Sequence, residues 1–279
     1  MPFHGNGWNP NTITRAVKGF TTATRTVRVD TDLGEGFLKA LGNPEGPHAL
    51  ACELVGSLCA DWLGLKTFDF ALIRVTDPDE VSLMGERWAQ PGPAFISRAE
   101  DMGFTWGGDA QTISAVVNRG DLSRLVVLDS WLRNCDRHAP DGRRINRKNV
   151  FLMQRTQPQR QLELIAMDFT HAFTCGNELD RRLGYIEKIR DEAVFGLFDE
   201  FKAHLSREVV IETAARLMAF DSNLAELFIS RVPTEWSVDG PIRSVWKRFL
   251  VDRAHFCADT IERRLWPETD DLPYPGGLE

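Results

Sequence analysis

The chain has 279 residues, of which 43% are hydrophobic and 26% charged, the composition of an ordinary globular protein. Its formal net charge of -7 argues against direct nucleic-acid binding, which usually requires a basic surface. No apolar run reaches the roughly 18 residues that a membrane span needs, and the N-terminus lacks the apolar core of a secretory signal, so we expect a cytoplasmic protein without membrane contacts.

The five cysteines are scattered along the chain, and none belongs to a paired C-x-x-C motif. An odd, dispersed set predicts neither a zinc site nor a disulfide framework. Reduced thiols, as in most cytoplasmic proteins, are therefore expected at Cys52, Cys59, Cys135, Cys175 and Cys257.

Strand patterns dominate the first hundred residues. Residues 1–18 are rich in Asn, Pro and Gly and are predicted to be irregular. Between residues 46 and 63 apolar side chains recur at every fourth position, which predicts a helix that ends at Gly64. Alternating or continuous apolar runs predict strands at residues 24–29, 36–41, 68–75 and 94–97. Strands with one inserted helix predict a small α+β lobe.

Helical patterns dominate the rest of the chain, after a Gly-rich connector at residues 101–110. The exception is a pair of short strands with a polar turn between them. The predicted elements are a helix that ends near Arg133, strands at residues 150–153 and 162–166, and helices at residues 186–201, 209–218 and 245–265.

Strands first and helices afterwards imply two lobes, and ligand sites commonly lie between lobes. We predict a β-rich N-lobe over residues 1–98 and a larger, mostly helical C-lobe over residues 99–266. The tail at residues 267–279 is acidic and rich in Pro and Gly, and is predicted to be flexible.

Polar side chains stand at the ends of neighbouring elements between residues 128 and 173. A helix ends in Asn-Cys-Asp-Arg-His, with Asp136 at its centre. Asn149 directly precedes the strand VFLM, and Asp168 directly follows the strand LELIAM. Such a trio suits phosphoryl transfer from Mg-ATP, because Mg²⁺ prefers hard oxygen ligands and the attacking hydroxyl needs an anionic acceptor.

This order of helix, NxDRH, loop, Asn, two strands and Asp-Phe resembles the catalytic and metal-binding segments of protein kinases. It is most similar to the HipA-like kinases, at NCDRH, RKNVFL and MDFTHAF. The resemblance implies a two-lobed α+β fold, with Asp136 as the catalytic aspartate and Asn149 and Asp168 as magnesium ligands. His138 would order the catalytic loop or take part in proton transfer.

The resemblance extends upstream of these motifs. Lys39 falls where kinases keep the lysine that pairs with the α- and β-phosphates of ATP, and Glu53 falls where a helix glutamate holds that lysine. The loop that contains Gly19, Thr21 and Thr22, before the first predicted strand pair, would cover the phosphates. The backbone around Ser97, at residues 96–99, would offer hydrogen bonds to adenine.

Several departures from the kinase pattern leave alternatives open. The segment APDGRRINRK makes the spacing from Asp136 to Asn149 unusually long, so Asn146 is a rival metal ligand. Thr170 replaces the glycine expected after Asp-Phe, and no G-x-G-x-x-G loop is present. The basic run in this segment is either a solvated face or a source of positive charge for phosphates; it consists of Arg143, Arg144, Arg147 and Lys148.

The resemblance implies an ATP- and magnesium-dependent kinase that phosphorylates serine or threonine in a protein. A small-molecule or lipid acceptor is an alternative, because nothing in the sequence marks a peptide groove. A nucleotide-binding pseudokinase is another alternative, and analogy with the family adds a toxin held by an antitoxin-like protein partner.

Overall fold

Residues 7–77, 81–155 and 161–267 are described by the computed structural model. The N-terminal lobe contains a sheet of five antiparallel strands in the order β1-β2-β3-β5-β4, so that β5 lies between β3 and β4. These strands are β1 Ile13–Gly19, β2 Val27–Thr31, β3 Gly34–Lys39, β4 Phe70–Val75 and β5 Gly92–Arg98.

Helix α1, Pro47–Trp62, connects β3 to β4 and is buried around its whole circumference. A helix that is apolar on all sides must be enclosed by protein. Its core side chains, which include Leu50, Leu54 and Leu58, belong to the same hydrophobic cluster as the helices of the C-terminal lobe. The helix is therefore held between the two lobes rather than lying on the surface of one.

A second sheet, of three antiparallel strands, begins the C-terminal lobe in the order β6-β7-β8. Its strands are β6 Gly103–Thr105, β7 Val150–Arg155 and β8 Gln161–Ala166. Val150 pairs with Ala166, so the start of β7 lies beside the end of β8. A 3₁₀ turn, Arg147–Asn149, leads directly into β7.

Seven helices complete the described part of the C-terminal lobe. They are α2 Ala110–Ser114, α3 Gly120–Leu132, α4 Ile186–Ile189, α5 Asp199–Lys202, α6 Arg207–Met218, α7 Ser222–Ile229 and α8 Gly240–Leu265. Side chains that accept backbone N–H groups cap four of the helix starts, as Ser and Asp commonly do; they are Asp109, Ser206, Asp221 and Asp239. Among the described residues no helix is long and apolar enough to cross a membrane.

Two buried side chains from the C-terminal third tie distant segments together. The indole N–H of Trp236 donates to the carbonyl of Pro93 in β5 at 3.0 Å, which joins the two lobes. Arg253 of α8 donates to the carbonyls of Ser130 and Trp131 near the end of α3. Burial lowers the pKa of Arg253 to about 10. Arg253 thus stabilises the end of α3, where the NxDRH segment begins.

The structure corrects two expectations about secondary structure. Residues 13–19 form a strand, although residues 1–18 were predicted to be irregular, so Gly19 ends β1 and the loop with Thr21 and Thr22 lies between β1 and β2. Only Ile13 of β1 is buried, so this edge strand lacks the alternation that marks most strands. Residues 186–201 do not form one helix, because an irregular segment separates α4 from α5. The tail predicted at residues 267–279 lies outside the described residues apart from Pro267.

Candidate active site

An aromatic cavity of about 300 Å³ lies between the five-stranded sheet and β7, where the two lobes meet. Polar side chains border it on one side, among them Lys39, Glu53 and Asp168. The predicted residues Thr22 and Ser97 also line it, whereas Gly19 and Thr21 are not among its lining residues. Six of its lining residues are phenylalanines: Phe20, Phe37, Phe68, Phe70, Phe95 and Phe151.

Lys39, the last residue of β3, contacts two carboxylates at once. Its Nζ lies 3.0 Å from Glu53 Oε2 and 3.2 Å from Asp168 Oδ1. Burial alone would lower the pKa of Lys39, but the two carboxylates outweigh burial and raise it well above its usual value. Burial would likewise raise the pKa of Asp168, but Lys39 and Thr170 hold it below its usual value. The lysine therefore stays charged beside both carboxyl groups, although burial raises the pKa of Glu53.

The backbone around Asp168 turns sharply at the end of β8. Asp168 has φ 60°, in the left-handed region that non-glycine residues seldom adopt. The next residue, Phe169, is fully buried and packs against Gly56 of α1. A Cβ at Gly56 would lie 2.3 Å from Phe169 Cβ, so only glycine admits the ring this close to the helix.

Asp136 lies beside both candidate amide ligands. Its Oδ2 accepts hydrogen bonds from Asn149 Nδ2 at 2.7 Å and from Asn146 Nδ2 at 3.4 Å. Asn146 Nδ2 also donates to Asn149 Oδ1 at 3.0 Å. The Oδ1 of Asp136 lies 3.2 Å from Arg144 Nη1. The structure thus brings the predicted catalytic carboxylate and both amides into one network.

Arg137, the residue after Asp136, is completely buried and connects three segments. Its Nε donates to Asp129 Oδ2 of α3 at 2.7 Å. Its Nη1 donates to the carbonyl of Asn149 and its Nη2 to the carbonyl of Met167. A buried charge is tolerated only when it is paired and hydrogen-bonded. Arg137 therefore positions Asp136 relative to the start of β7 and the end of β8.

The two histidines near this network have different surroundings. The ring of His138 packs edge-on against Phe198 at 5.3 Å between centroids, and burial lowers its pKa. His171 contacts Glu45 Oε1 at 3.1 Å through Nε2 and lies 3.7 Å from Asp136 Oδ2 through Nδ1. The hydrogen bond to Glu45 raises the pKa of His171. His171 was not among the predicted site residues, although it stands three residues after Asp168.

Cys135 and Cys175 form a disulfide with their Cα atoms 5.3 Å apart, so the expectation of reduced thiols is wrong for this pair. The two residues are 40 positions apart in sequence, and tertiary structure brings them together. Phe173 N–H donates to the carbonyl of Leu132, which places the segment after Asp168 beside the end of α3. The other three cysteines are free, as expected, and all three are buried.

The predicted phosphate loop is the turn between β1 and β2. Phe20 N–H donates to the carbonyl of Thr26 at 2.9 Å, and Thr26 N–H donates to Thr22 Oγ1 at 2.9 Å. In the segment predicted to bind adenine, the N–H groups of Arg98 and Ala99 already donate to the carbonyls of Asp69 and Glu35. These two donors are therefore not free to bind a base.

A family model described as HipA-like kinase matches residues 34–264. The chain belongs to the HipA-like kinase family. As a member of this family it is a kinase, that is, a phosphotransferase. A search of curated protein sequences found no match.

Two solved kinase structures are similar to this chain at low sequence identity. The crystal structure of a Helicobacter pylori proinflammatory kinase, CtkA, aligns with a TM-score of 0.59 and 13% identity over 92% of this chain and 98% of that chain. A crystal structure of the Golgi casein kinase aligns with a TM-score of 0.44 and 10% identity over 91% of this chain and 75% of that chain. The likeness to CtkA confirms the two-lobed α+β kinase fold.

Proposed function

We propose that this HipA-like kinase transfers the γ-phosphoryl group of Mg-ATP to a serine or threonine hydroxyl of a protein. The observation that carries the proposal is the position of Lys39, within 3.2 Å of both Glu53 and Asp168. A lysine and a helix glutamate paired beside a metal-binding aspartate are the parts that kinases need together.

The aromatic cavity suits the adenine base of ATP. Phenylalanine rings offer flat apolar surfaces, and Phe37 of β3 and Phe151 of β7 line it from the two lobes. Lys39 lies at the polar border of this cavity, where it could contact the phosphates of a nucleotide whose base is bound in the cavity. The β1–β2 loop, with Gly19, Thr21 and Thr22, would cover those phosphates.

Asp168 and Asn149 would hold Mg²⁺ together with the phosphates and water. No cluster of three His, Cys, Asp or Glu side chains suited to a metal occurs in the described ranges. One carboxylate and one amide fit Mg²⁺, which keeps several waters and is commonly bound through one or two carboxylates plus substrate phosphates. When bound, the ion would neutralise charge on the β- and γ-phosphates.

Asp136 would receive the proton of the acceptor. In the transfer the acceptor oxygen forms a bond to the γ-phosphorus, and the bond from that phosphorus to the bridging oxygen breaks. ADP leaves with the electron pair of that bond, and the hydroxyl proton passes to the Asp136 carboxylate. The hydrogen bond from Asn149 orients this carboxylate, while Arg137 and Asp129 position its backbone.

The test is incorporation of label from γ-labelled ATP with magnesium and a cell lysate, followed by identification of the labelled species. We expect labelled protein, with the label on serine or threonine, from the wild type, and none above background from Asp168→Asn. Asp136→Ala should bind ATP with wild-type affinity in calorimetry but transfer it roughly 10²–10⁴-fold more slowly.

Label found only in lipid or in a small molecule would contradict a protein acceptor and leave the kinase assignment intact. A wild type that binds ATP but labels nothing, and that Asp136→Ala matches in every assay, would contradict the whole proposal.

A further inference from the structure

The unusually long segment between Asp136 and Asn149 folds back on itself as a small hairpin. Its closing hydrogen bonds run from Ala139 N–H to the carbonyl of Arg144 at 2.9 Å and from Asn146 N–H to the carbonyl of Arg137 at 2.8 Å. Gly142, with φ 66°, makes the turn. The extra residues are therefore built into the structure and bring Arg144 back towards Asp136.

Arg144 contacts the one oxygen of Asp136 that the amides leave open. Its Nη1 lies 3.2 Å from Oδ1, whereas Asn149 and Asn146 both donate to Oδ2. The Arg144 side chain is 49% exposed, and that of Asp136 is 15% exposed. A half-exposed arginine can change partners while its own charge stays in contact with solvent.

The other cations close to Asp136 are already held by other groups. Arg137 is buried and bonded to Asp129 and to two backbone carbonyls. Arg147 pairs with Glu200 at 2.8 Å and lies over the ring of Trp106. Lys39 is held between Glu53 and Asp168. Arg144 differs because its ion-pair partner is the carboxylate oxygen at which the acceptor hydroxyl would react, whereas His171 faces the other oxygen, Oδ2, at 3.7 Å.

A group in contact with that carboxylate lies close to the reacting atoms. An acceptor hydroxyl bonded to Asp136 and a guanidinium bonded to the same carboxylate are separated by only a few ångströms, since each hydrogen bond spans about 3 Å. The γ-phosphoryl group must reach that hydroxyl. A guanidinium carries five donors in a planar fork that matches two phosphate oxygens, and it stays charged at every working pH.

We propose that Arg144 is a catalytic residue that contacts the transferring phosphoryl group, an inference that rests on the proposed function. As the acceptor hydroxyl bonds to Oδ1 of Asp136, the guanidinium of Arg144 turns from that oxygen to the equatorial oxygens of the phosphoryl group. There it balances the negative charge that spreads over these oxygens during transfer. The hairpin between Asp136 and Asn149 is the element that supplies it.

The neighbouring arginine provides a matched control. Arg143 lies on the same hairpin but is 88% exposed and pairs with Asp141 at 3.5 Å. We would compare Arg144→Ala, Arg144→Lys and Arg143→Ala with the wild type for label transfer, with kcat and KM determined separately. The affinity for ADP would be measured with and without aluminium fluoride, which with ADP imitates the phosphoryl group in flight.

We expect Arg144→Ala to lower kcat by about 10²–10³-fold, the usual cost of removing one donor to developing charge. The KM for ATP and the affinity for ADP alone should stay within about threefold of the wild type, since the contact forms during transfer. The tightening of ADP binding by aluminium fluoride should disappear. Arg144→Lys should recover part of kcat, and Arg143→Ala should behave as the wild type.

Two results would overturn the inference while leaving the proposed function standing. One is an Arg144→Ala protein that transfers label as fast as the wild type or faster, which would make Arg144 a solvated or obstructing side chain. The other is an Arg144→Ala protein that retains the aluminium fluoride effect while Arg143→Ala loses as much kcat as Arg144→Ala does. That result would indicate only an effect of net charge. A wild type that labels nothing would instead overturn the proposed function.

Discussion

The backbone N–H of Phe169 donates to Glu53 Oε2 at 2.8 Å. The same carboxylate oxygen lies 3.0 Å from Lys39 Nζ. One atom on α1 therefore holds both the lysine of β3 and the residue that follows Asp168. Because α1 is enclosed by both lobes, the protein itself maintains this arrangement of the three segments.

The lysine and the glutamate should differ in their effect on transfer. Lys39→Met removes the cation proposed to meet the phosphates, so we expect label transfer to fall at least about 10²-fold. Glu53→Gln should be milder, because the amide oxygen can still accept the N–H of Phe169 and only the charge that orients Lys39 is lost. Initial rates at saturating ATP give the comparison.

Lys247→Met is the control for the loss of a lysine, since Lys247 forms an exposed pair with Glu226 on the helical lobe. Its rate should equal that of the wild type. Normal turnover by Lys39→Met would show that β3 does not supply the phosphate-binding lysine.

Replacing each of the two amides beside Asp136 should affect the magnesium dependence of transfer differently. Asn149→Ala removes a proposed metal ligand and the 2.7 Å hydrogen bond to Asp136, so both Mg-ATP affinity and turnover should drop. Asn146→Ala removes a longer contact to Asp136 and should have a smaller effect on turnover and none on the magnesium concentration at half-maximal rate. Magnesium titrations of the transfer rate decide between them, and the reverse order would make Asn146 the ligand.

Gly56 should not tolerate even a methyl group. The Cβ of Gly56→Ala would collide with Phe169, so we expect unfolding free energy to fall by about 1–3 kcal/mol and transfer to fall with the displacement of Asp168. Gly120→Ala, at the start of α3, is the matched control, because its Cβ would meet its nearest neighbours only at 3.4 Å. Urea unfolding and label transfer on both variants test the prediction. Equal behaviour of the two variants would exclude the close packing of Phe169 on α1.

His171 should make stability depend on pH. Its pKa is raised in the folded protein by Glu45, so its contribution is fully present below its unfolded pKa of about 6.5 and is lost as the pH rises through the higher folded value. The stability difference between wild type and His171→Gln should therefore shrink as the pH rises above about 6.5. His255→Gln, whose ring bonds the carbonyl of Phe220, is the control. A stability difference that grows as the pH rises would contradict this prediction.

The disulfide between Cys135 and Cys175 should contribute measurably to stability. It closes a loop of about forty residues that contains Asp136, Asn149 and Asp168, and cross-links of this span typically contribute about 2–4 kcal/mol. Oxidised wild-type protein should therefore unfold at higher denaturant concentration than reduced protein. The double variant Cys135→Ser, Cys175→Ser should respond to neither oxidant nor reductant. Wild-type curves that coincide in both conditions would show that the bond does not form in solution.

The candidate site can be predicted from the sequence because its residues stand at the ends of strongly patterned elements. The apolar strand before Asp168 and the helix before Asp136 are both visible as periodicity, and α1 is predicted within about one residue at each end. The contacts that surround these residues could not be predicted in this way. Pairs such as His171 with Glu45 and Cys135 with Cys175 join segments far apart in sequence, and no local pattern encodes such contacts.

Two further segments could not be predicted from the sequence because they lack a regular apolar period. Edge strand β1 buries little, and the segment between α4 and α5 carries apolar residues that pack without a helical period. In the sequence, the basic run of the hairpin that carries Arg144 is compatible with a solvated face and with a source of positive charge for phosphates. Only its backbone hydrogen bonds show that the loop turns back onto Asp136.

The pairing of Val150 with Ala166 has a geometric consequence. Asn149 and Asp168 flank this pair, so their separation depends on the hydrogen-bond register of β7 and β8 and not on how many residues connect the strands. A one-residue insertion inside either strand would turn its following side chains to the opposite face. The geometry of the two proposed magnesium ligands is therefore encoded in the pairing of β7 with β8.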